Sequence, residues 1–338
     1  MRIGLIGLGR IGAFHADTLS RHDQVDQLVV TDAVPGMAEA AATRYGATAV
    51  ADSDALLAGG LDGVVIASST PTHLELLRAA VAAGIPTFCE KPVAEDPYAA
   101  GDLVDYVDQS GVPVQIGFPR RFDPAFVAAR AALNGGELGW LTTIRSTTMD
   151  PAPPPAAYVA ASGGIFRDCA IHDFDAVRWA TGREVIEVYA TGSNRGDTFF
   201  LDAHDVDTSS ALLTFDDGTL GVISNTRYNG HGYDVRLELH GSTASVAAGL
   251  DDGLPFRSAD DDVHFPAGPP HSFFMDRFAA AFESEISTFI DVAAGRQPSP
   301  CTVSDGLAAS WIAEACTKSL HDHRPVTLDE VRFQERPS

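Results

Sequence analysis

Lysine is nearly missing from this chain. Of its 338 residues only Lys91 and Lys318 are lysine, against 21 arginines. The imbalance follows composition bias and excludes nothing by itself, but it draws attention to each lysine. Cysteine is scarce too. Cys89, Cys169, Cys301 and Cys316 show no CxxC spacing and no close pairing with histidine. That argues against a zinc site and for small core residues in a reducing compartment. No apolar run approaches the length of a membrane span. Positive charge is in deficit, with a net charge of −23. Nucleic acids and anionic membranes both need basic surfaces, so neither is expected as a partner. Met1-Arg2-Ile3-Gly4 runs straight into a strand, with no charged leader and no apolar stretch behind it, and the expectation is a cytoplasmic protein. No internal repeat is present.

What is present is an ordinary globular composition, 45% hydrophobic with a mean hydropathy of +0.02 and ample material for a core. The length fits one large or two medium domains.

Lys91 lies in Phe88-Cys89-Glu90-Lys91-Pro92. The run Gly63-Val64-Val65-Ile66-Ala67 reads as a buried strand, 71–83 as a helix, and 84–89 as the next strand. Glu90-Lys91-Pro92 therefore hangs from a strand's carboxyl end, the edge where doubly wound sheets bind ligands. Arginine keeps its charge near neutral pH, whereas lysine exchanges a proton once its pKa is pushed down. A solvated loop lysine is the plain alternative. The strand-end position, the flanking Glu and Pro, and the use of lysine where the chain otherwise uses arginine favour a functional one.

At the amino end, Arg2-Ile3-Gly4-Leu5-Ile6-Gly7 reads as a buried strand and Ala13 to Leu19 as a helix. Between them stands Gly7-Leu8-Gly9-Arg10-Ile11-Gly12, a GxGxxG in the strand–turn–helix setting that gives it meaning. Gly7 permits the tight turn, Gly9 lets the backbone approach a pyrophosphate, and Gly12 allows close helix packing. The helix N-terminus then holds the phosphates, with Arg10 and Ile11 in the same turn. The second strand, Gln27 to Thr31, ends at Asp32, 20 residues after Gly12. That is the offset of a carboxylate on the adenosine ribose, which repels a 2′-phosphate, so NAD is expected rather than NADP. Asp32 also suits a turn or cap role before Pro35-Gly36. The fourth strand ends in Ser68-Ser69-Thr70-Pro71-Thr72-His73, a polar loop where the nicotinamide ribose should pass. Ser68, Thr70 and His73 are candidate contacts, although Thr72 and His73 fit a helix cap as well.

Tyr98 to Ser110 reads as a helix and Val112 to Gly117 as the last strand of this first domain, expected to span 1–120. The stretch Gly117-Phe118-Pro119-Arg120-Arg121-Phe122-Asp123-Pro124 marks the crossover. Its two arginines steady the junction or reach a ligand, and the junction is the favoured reading. The remainder, 121–338, alternates differently. Strand patterns over 140–149, 185–191, 208–215, 219–226 and 234–240 follow one another with a hairpin turn at Asp216-Asp217-Gly218. Such a run predicts an α/β domain built on a large open, mostly antiparallel sheet. Closing helices are expected over 287–294 and 304–321.

The second informative stretch is Gly163-Gly164-Ile165-Phe166-Arg167-Asp168-Cys169-Ala170-Ile171-His172-Asp173-Phe174-Asp175, read as a helix from Arg167. Asp168 and His172, four apart, share a face, with Asp175 nearly in line. A histidine beside a carboxylate is a proton-handling pair; an ordinary polar pair on a helix is the alternative. His172, Asp168 and Asp175 also have the donors for a metal, but hydride transfer to NAD needs none, and no metal is expected.

Glu90-Lys91-Pro92 and the 163–175 stretch, with the glycine turn, the crossover, Gly232-Tyr233-Asp234 and Asp276-Arg277-Phe278, resemble the Gfo/Idh/MocA oxidoreductases and, within them, the inositol 2-dehydrogenases. The resemblance covers nearly the whole chain. It implies an N-terminal Rossmann domain, a C-terminal α/β domain and pairing through the open sheet into dimers or tetramers. It implies Lys91, Asp168 and His172 as catalytic residues, Glu90 and Lys91 beside the cofactor, and Tyr233 near the substrate. It also implies NAD-dependent oxidation of a cyclic polyol, myo-inositol to 2-keto-myo-inositol (scyllo-inosose). Another inositol isomer, an aldose or a sugar intermediate is the alternative, and a non-catalytic NAD-dependent sensor a remote one. Pro119 and the run Asn229-Gly230-His231 depart from the pattern where the substrate pocket is expected.

Overall fold

The structure, a computed structural model, describes residues 1–255, 257–265 and 268–333. The chain forms two compact units: Met1–Pro119 with Ala280–Leu307, and Arg120–Ala279 with the chain from Ala308. The first crossover comes one residue before the expected 120/121 division. The segment 280–307, expected in the second domain, belongs instead to the first unit. The reason is apolar. The helix Ala279–Ala293 buries Ile286, Phe289 and Ile290 in a cluster with Ile3, Leu5, Leu28 and Phe88.

The first unit is built on six parallel strands, β1 Arg2–Ile6, β2 Gln27–Thr31, β3 Thr48–Ala49, β4 Gly63–Ile66, β5 Thr87–Glu90 and β6 Val114–Gly117, in the order β3-β2-β1-β4-β5-β6. Helices over Arg10–Ser20, Met37–Tyr45, His73–Ala82 and Leu103–Ser110 alternate with them. Strands covered on both faces read as unbroken apolar runs, as Val64-Val65-Ile66 does. The strand order reverses between β1 and β4, and the carboxyl ends at such a switch point border the ligand crevice of a doubly wound sheet.

The second unit holds seven strands: β7 Leu141–Met149, β8 Val185–Ser193, β9 Thr208–Phe215, β10 Leu220–Thr226, β11 Asp234–Gly241, β12 Ser245–Ala248 and β13 Val326–Thr327. Their order is β12-β11-β7-β10-β9-β8-β13. All neighbours run antiparallel except β7 and β10. The hairpin between β9 and β10 closes with Gly218 at a φ of 87°, where a side chain would be strained. One sheet face is covered: Ile144, Ser146 and Thr148 of β7 are buried. The other carries a row set by the register, Glu238, Arg145, Val222, Leu212 and Tyr189, in which Arg145, Leu212 and Tyr189 are exposed. Among the described residues no helix is long and apolar enough to cross a membrane.

Candidate active site

The first unit brings its candidate residues to the carboxyl edge of the parallel sheet. Gly7 follows β1 with a φ of 93°, and a Cβ there would stand 2.5 Å from the Ser68 backbone nitrogen. At Gly12 a Cβ would lie 2.0 Å from the Gly7 carbonyl oxygen. Both glycines are therefore demanded by the fold. Gly9 is different, since a Cβ there meets nothing within 4 Å. The chain itself gives no steric reason for glycine at that position, whereas a pyrophosphate lying on the turn would. Gly9 also N-caps the helix Arg10–Ser20 without any side-chain cap, which leaves the helix end suited to an anion. Ile11 is half-buried and Arg10 exposed on that first turn.

Asp32 stands just past β2 and ties the edge together. Its Oδ2 accepts from Leu8 N at 2.6 Å and its Oδ1 from Val34 N at 2.7 Å. Ser68, past β4, shares a hydrogen bond of 2.7 Å with Thr72, and Thr70 begins the short 3-10 turn Thr70–Thr72. His73 is 1% exposed, with Nδ1 2.8 Å from the Pro92 carbonyl and Nε2 3.1 Å from the Ser68 carbonyl. Its ring joins the Ser68 loop to the loop after β5. Glu90 closes β5, and Lys91 is half-buried beside it. Local spacing gave no hint of His15. This buried histidine of the first helix places Nε2 2.7 Å from Glu90 Oε1. Its only trace in the sequence is a histidine three residues after Gly12, next to the buried Ala16.

In the second unit, the expected helix from Arg167 is instead a π turn over Phe166–Ala170 followed by an α-helix over Ile171–Thr181. Such π turns inside helices often mark functional sites. Asp168 lies in the wide turn and His172 in the first α turn after it, both half-buried. Asp175, expected nearly in line with them, is fully buried and bidentate to Arg121 at 2.6 and 2.9 Å. Asp173, also fully buried, accepts from Arg120 and Ser146 at 2.6 Å, and from Thr148 and Asn225 at 2.8 Å. The two crossover arginines thus anchor this helix within their own unit, and Asp173 and Asp175 are structural anchors. A buried carboxylate with this many charge-assisted partners holds its helix tightly.

Asp168 has other partners. Its Oδ2 accepts from Arg227 Nη2 at 2.6 Å and its Oδ1 from the Tyr158 hydroxyl at 2.8 Å. Arg227 Nη1 donates in turn to Asp150 at 2.7 Å. Burial raises the Asp150 carboxyl above its ordinary value, and Arg227 offsets this only in part. Tyr233, just ahead of β11, is buried, and burial pushes its hydroxyl up. Spacing along the chain pointed to none of Asp150, Tyr158 or Arg227. Among the described residues no group of three His, Cys, Asp or Glu side chains is placed to hold a metal ion.

Comparison with known proteins agrees with this architecture. A family model described as an oxidoreductase family with an NAD-binding Rossmann fold matches residues 1–118. The model of the GFO/IDH/MocA C-terminal domain matches residues 126–247. The inositol 2-dehydrogenase of Rhizobium meliloti is 38% identical over 97% of this chain and 99% of its own. Among solved structures, a myo-inositol dehydrogenase from Corynebacterium glutamicum superposes with a TM-score of 0.88 at 37% identity, covering 97% of this chain and 98% of its own. The scyllo-inositol dehydrogenase of Lactobacillus casei with bound NAD(H) and scyllo-inositol superposes with a TM-score of 0.86 at 30% identity, covering 97% of this chain and 99% of its own.

Proposed function

The chain belongs to the Gfo/Idh/MocA oxidoreductases, and from that premise we propose that it oxidises one secondary hydroxyl of a cyclic polyol with NAD, with myo-inositol giving 2-keto-myo-inositol. The observation that carries the substrate class is coverage. Similarity to the R. meliloti inositol 2-dehydrogenase runs through both units, 97% of the chain, so the substrate half is shared as well as the cofactor half.

In this reading the helix behind Gly9 holds the pyrophosphate, Asp32 accepts the adenosine ribose hydroxyls, and Ser68, Thr70 and Glu90 border the nicotinamide side. NAD, when bound, supplies the hydride acceptor. Lys91 donates a hydrogen bond to the reacting oxygen and stabilises its developing negative charge. His172 takes the hydroxyl proton as general base. Asp168 accepts a hydrogen bond from the substrate or from the charged imidazole. Tyr233 lies near the ring's other hydroxyls.

The exposed row that includes Arg145, Leu212 and Tyr189 supports a homo-oligomer, dimer or tetramer, in which a second copy covers this face of the sheet. Four free, buried cysteines fit a reducing compartment and support a cytoplasmic setting.

The test is NADH formation, read by its absorbance, with NAD or NADP against a panel of inositols and aldoses. Turnover of myo-inositol with NAD supports the reading to the substrate. Turnover of only another polyol keeps the chemistry and moves the difference to the surroundings of Pro119 and His231. NAD binding without turnover of any polyol overturns the enzyme reading in favour of a sensor.

A further inference from the structure

In the second unit, one guanidinium is shared by two carboxylates from distant parts of the chain. Asp150 follows β7 and Arg227 follows β10. These strands run parallel with Met149 opposite Thr226, so the residues just beyond them emerge side by side. The main chain secures the edge: Asp150 N donates to Thr226 O at 2.9 Å, Arg227 N to Asp207 O at 2.8 Å, and Asn229 N to Asp150 O at 2.7 Å. Arg227, 5% exposed, reaches Asp150 with one terminal nitrogen at 2.7 Å and Asp168 with the other at 2.6 Å. Tyr158, half exposed on the short helix Ala156–Ala161, donates to the second Asp168 oxygen at 2.8 Å.

We propose that Arg227 is a positioning residue: by bridging Asp150 and Asp168 it keeps Asp168 ionised and in one orientation, ready to accept a hydrogen bond from the substrate or from His172. The proposal rests on the reading of Asp168 and His172 as substrate-facing groups. A planar fork with two terminal nitrogens is suited to bridging two carboxylates, which an ammonium is not. Two carboxylates thus face one guanidinium. The Asp150 carboxyl is raised by burial, and the charge of Asp168 adds to the rise. Other ionisable groups near Asp168 include the Tyr158 hydroxyl, the Cys169 thiol and His172 on its own helical segment, and Asp205 from the loop before β9. Of these, burial raises both the Cys169 thiol and the Asp205 carboxyl. Arg227 is a buried cation bonded directly to Asp168. Removing it leaves Asp150 and Asp168 competing for a proton in a poorly solvated place, which raises carboxyl pKa values.

The experiment is the pH profile of kcat/KM for myo-inositol with NAD in the wild type, Arg227→Gln, Asp150→Asn and the double variant. Infrared difference spectra of the unliganded proteins, which distinguish a protonated carboxyl from a carboxylate, accompany it. For Arg227→Gln the acid limb is expected to rise by about one pH unit or more, the order of change produced by losing a neighbouring opposite charge. A protonated carboxyl then persists to higher pH in the spectrum. Adding Asp150→Asn is expected to bring the limb and the spectrum back toward the wild type, because the competing carboxylate is gone. Asp150→Asn alone should not raise the limb. An unmoved limb and spectrum in Arg227→Gln, or no recovery in the double variant, would overturn the proposal and leave Arg227 a fold anchor. If Arg227→Gln does not fold, Arg227→Lys replaces it; the ammonium keeps the charge but cannot bridge both carboxylates, so a smaller rise in the same direction and the same recovery are expected. Asp168→Asn separates the two readings. Wild-type turnover in that variant sinks the assignment of Asp168 itself. Its inactivation, with unmoved limbs in the Arg227 variants, sinks only the inference about Arg227.

Discussion

The Nε2 atom of His15 lies 2.7 Å from Oε1 of Glu90, and the histidine is wholly buried. This bond joins the helix behind the glycine turn to the end of β5, one residue ahead of Lys91. The ring is held edge-on against Phe88 and Phe282, with centroids 5.5 and 6.2 Å away. The glycine turn and the Lys91 loop therefore share a support, His15, that lies outside both motifs.

Replacing His15 by Ala should lower unfolding free energy by about 1–3 kcal/mol, the cost of leaving a partly buried polar partner unsatisfied. Urea denaturation measures this. A loss of kcat beyond any change in NAD affinity is expected alongside, because the loop that shifts carries Lys91.

Gly9 and Gly12 should separate binding from folding. Gly12→Ala sets a Cβ 2.0 Å from a carbonyl oxygen and should cost about 1–3 kcal/mol or more. Gly9→Ala meets nothing in the chain and should cost at most about 1 kcal/mol, the scale of an N-cap change. Its NAD affinity should nevertheless fall about tenfold or more, ~1.4 kcal/mol. Paired thermal melts and NAD titrations read both, and unchanged NAD affinity in Gly9→Ala would remove the pyrophosphate from that turn.

Asp32→Ala should relax the preference for NAD over NADP, read as the ratio of kcat/KM for the two cofactors. Because Asp32 also accepts from Leu8 N and Val34 N, some loss of affinity for both cofactors is expected. A preserved ratio would move discrimination to another group.

His172→Ala should lower kcat by about 10²–10⁴-fold, the contribution of a positioned general base. Lys91→Arg should be nearly inactive as well, since charge is kept while size and proton chemistry change. Steady-state rates decide both, with NAD binding as the control for folding.

The thiols supply a pH prediction. Burial raises Cys89, Cys169 and Cys316 above their ordinary value. The unfolded chain therefore releases thiol protons first as pH climbs, and the stability these groups contribute, fully present below the ordinary thiol value, is lost above it. Denaturation midpoints should fall between about pH 8 and about pH 10, by up to roughly 1.4 kcal/mol per pH unit for each thiol. A thiol reagent should react with the native protein slowly and with the denatured chain at once.

The first unit was legible in the sequence because its signals are local. Parallel strands buried on both faces are apolar runs. Gly7 and Gly12 are glycines because a Cβ has no room, and Lys91 stands out at the end of a strand pattern. The strand series of the second unit was legible for the same reason, through alternation and the Asp216-Asp217-Gly218 turn. The return of 280–307 to the first unit was not legible. An apolar helix face states that it will be buried but not against what. Nor did four-residue spacing reveal the wide π turn at Asp168, or that Asp173 and Asp175 serve Arg120 and Arg121. The meeting of Asp150, Asp168 and Arg227 depends on β7 and β10 lying parallel with Met149 opposite Thr226. The chain by itself determined which segments become strands, helices and the tight glycine turn, since those follow from sterics and periodicity over a few residues. Only the tertiary structure decided which buried charges neutralise one another, since that depends on register between segments far apart in sequence.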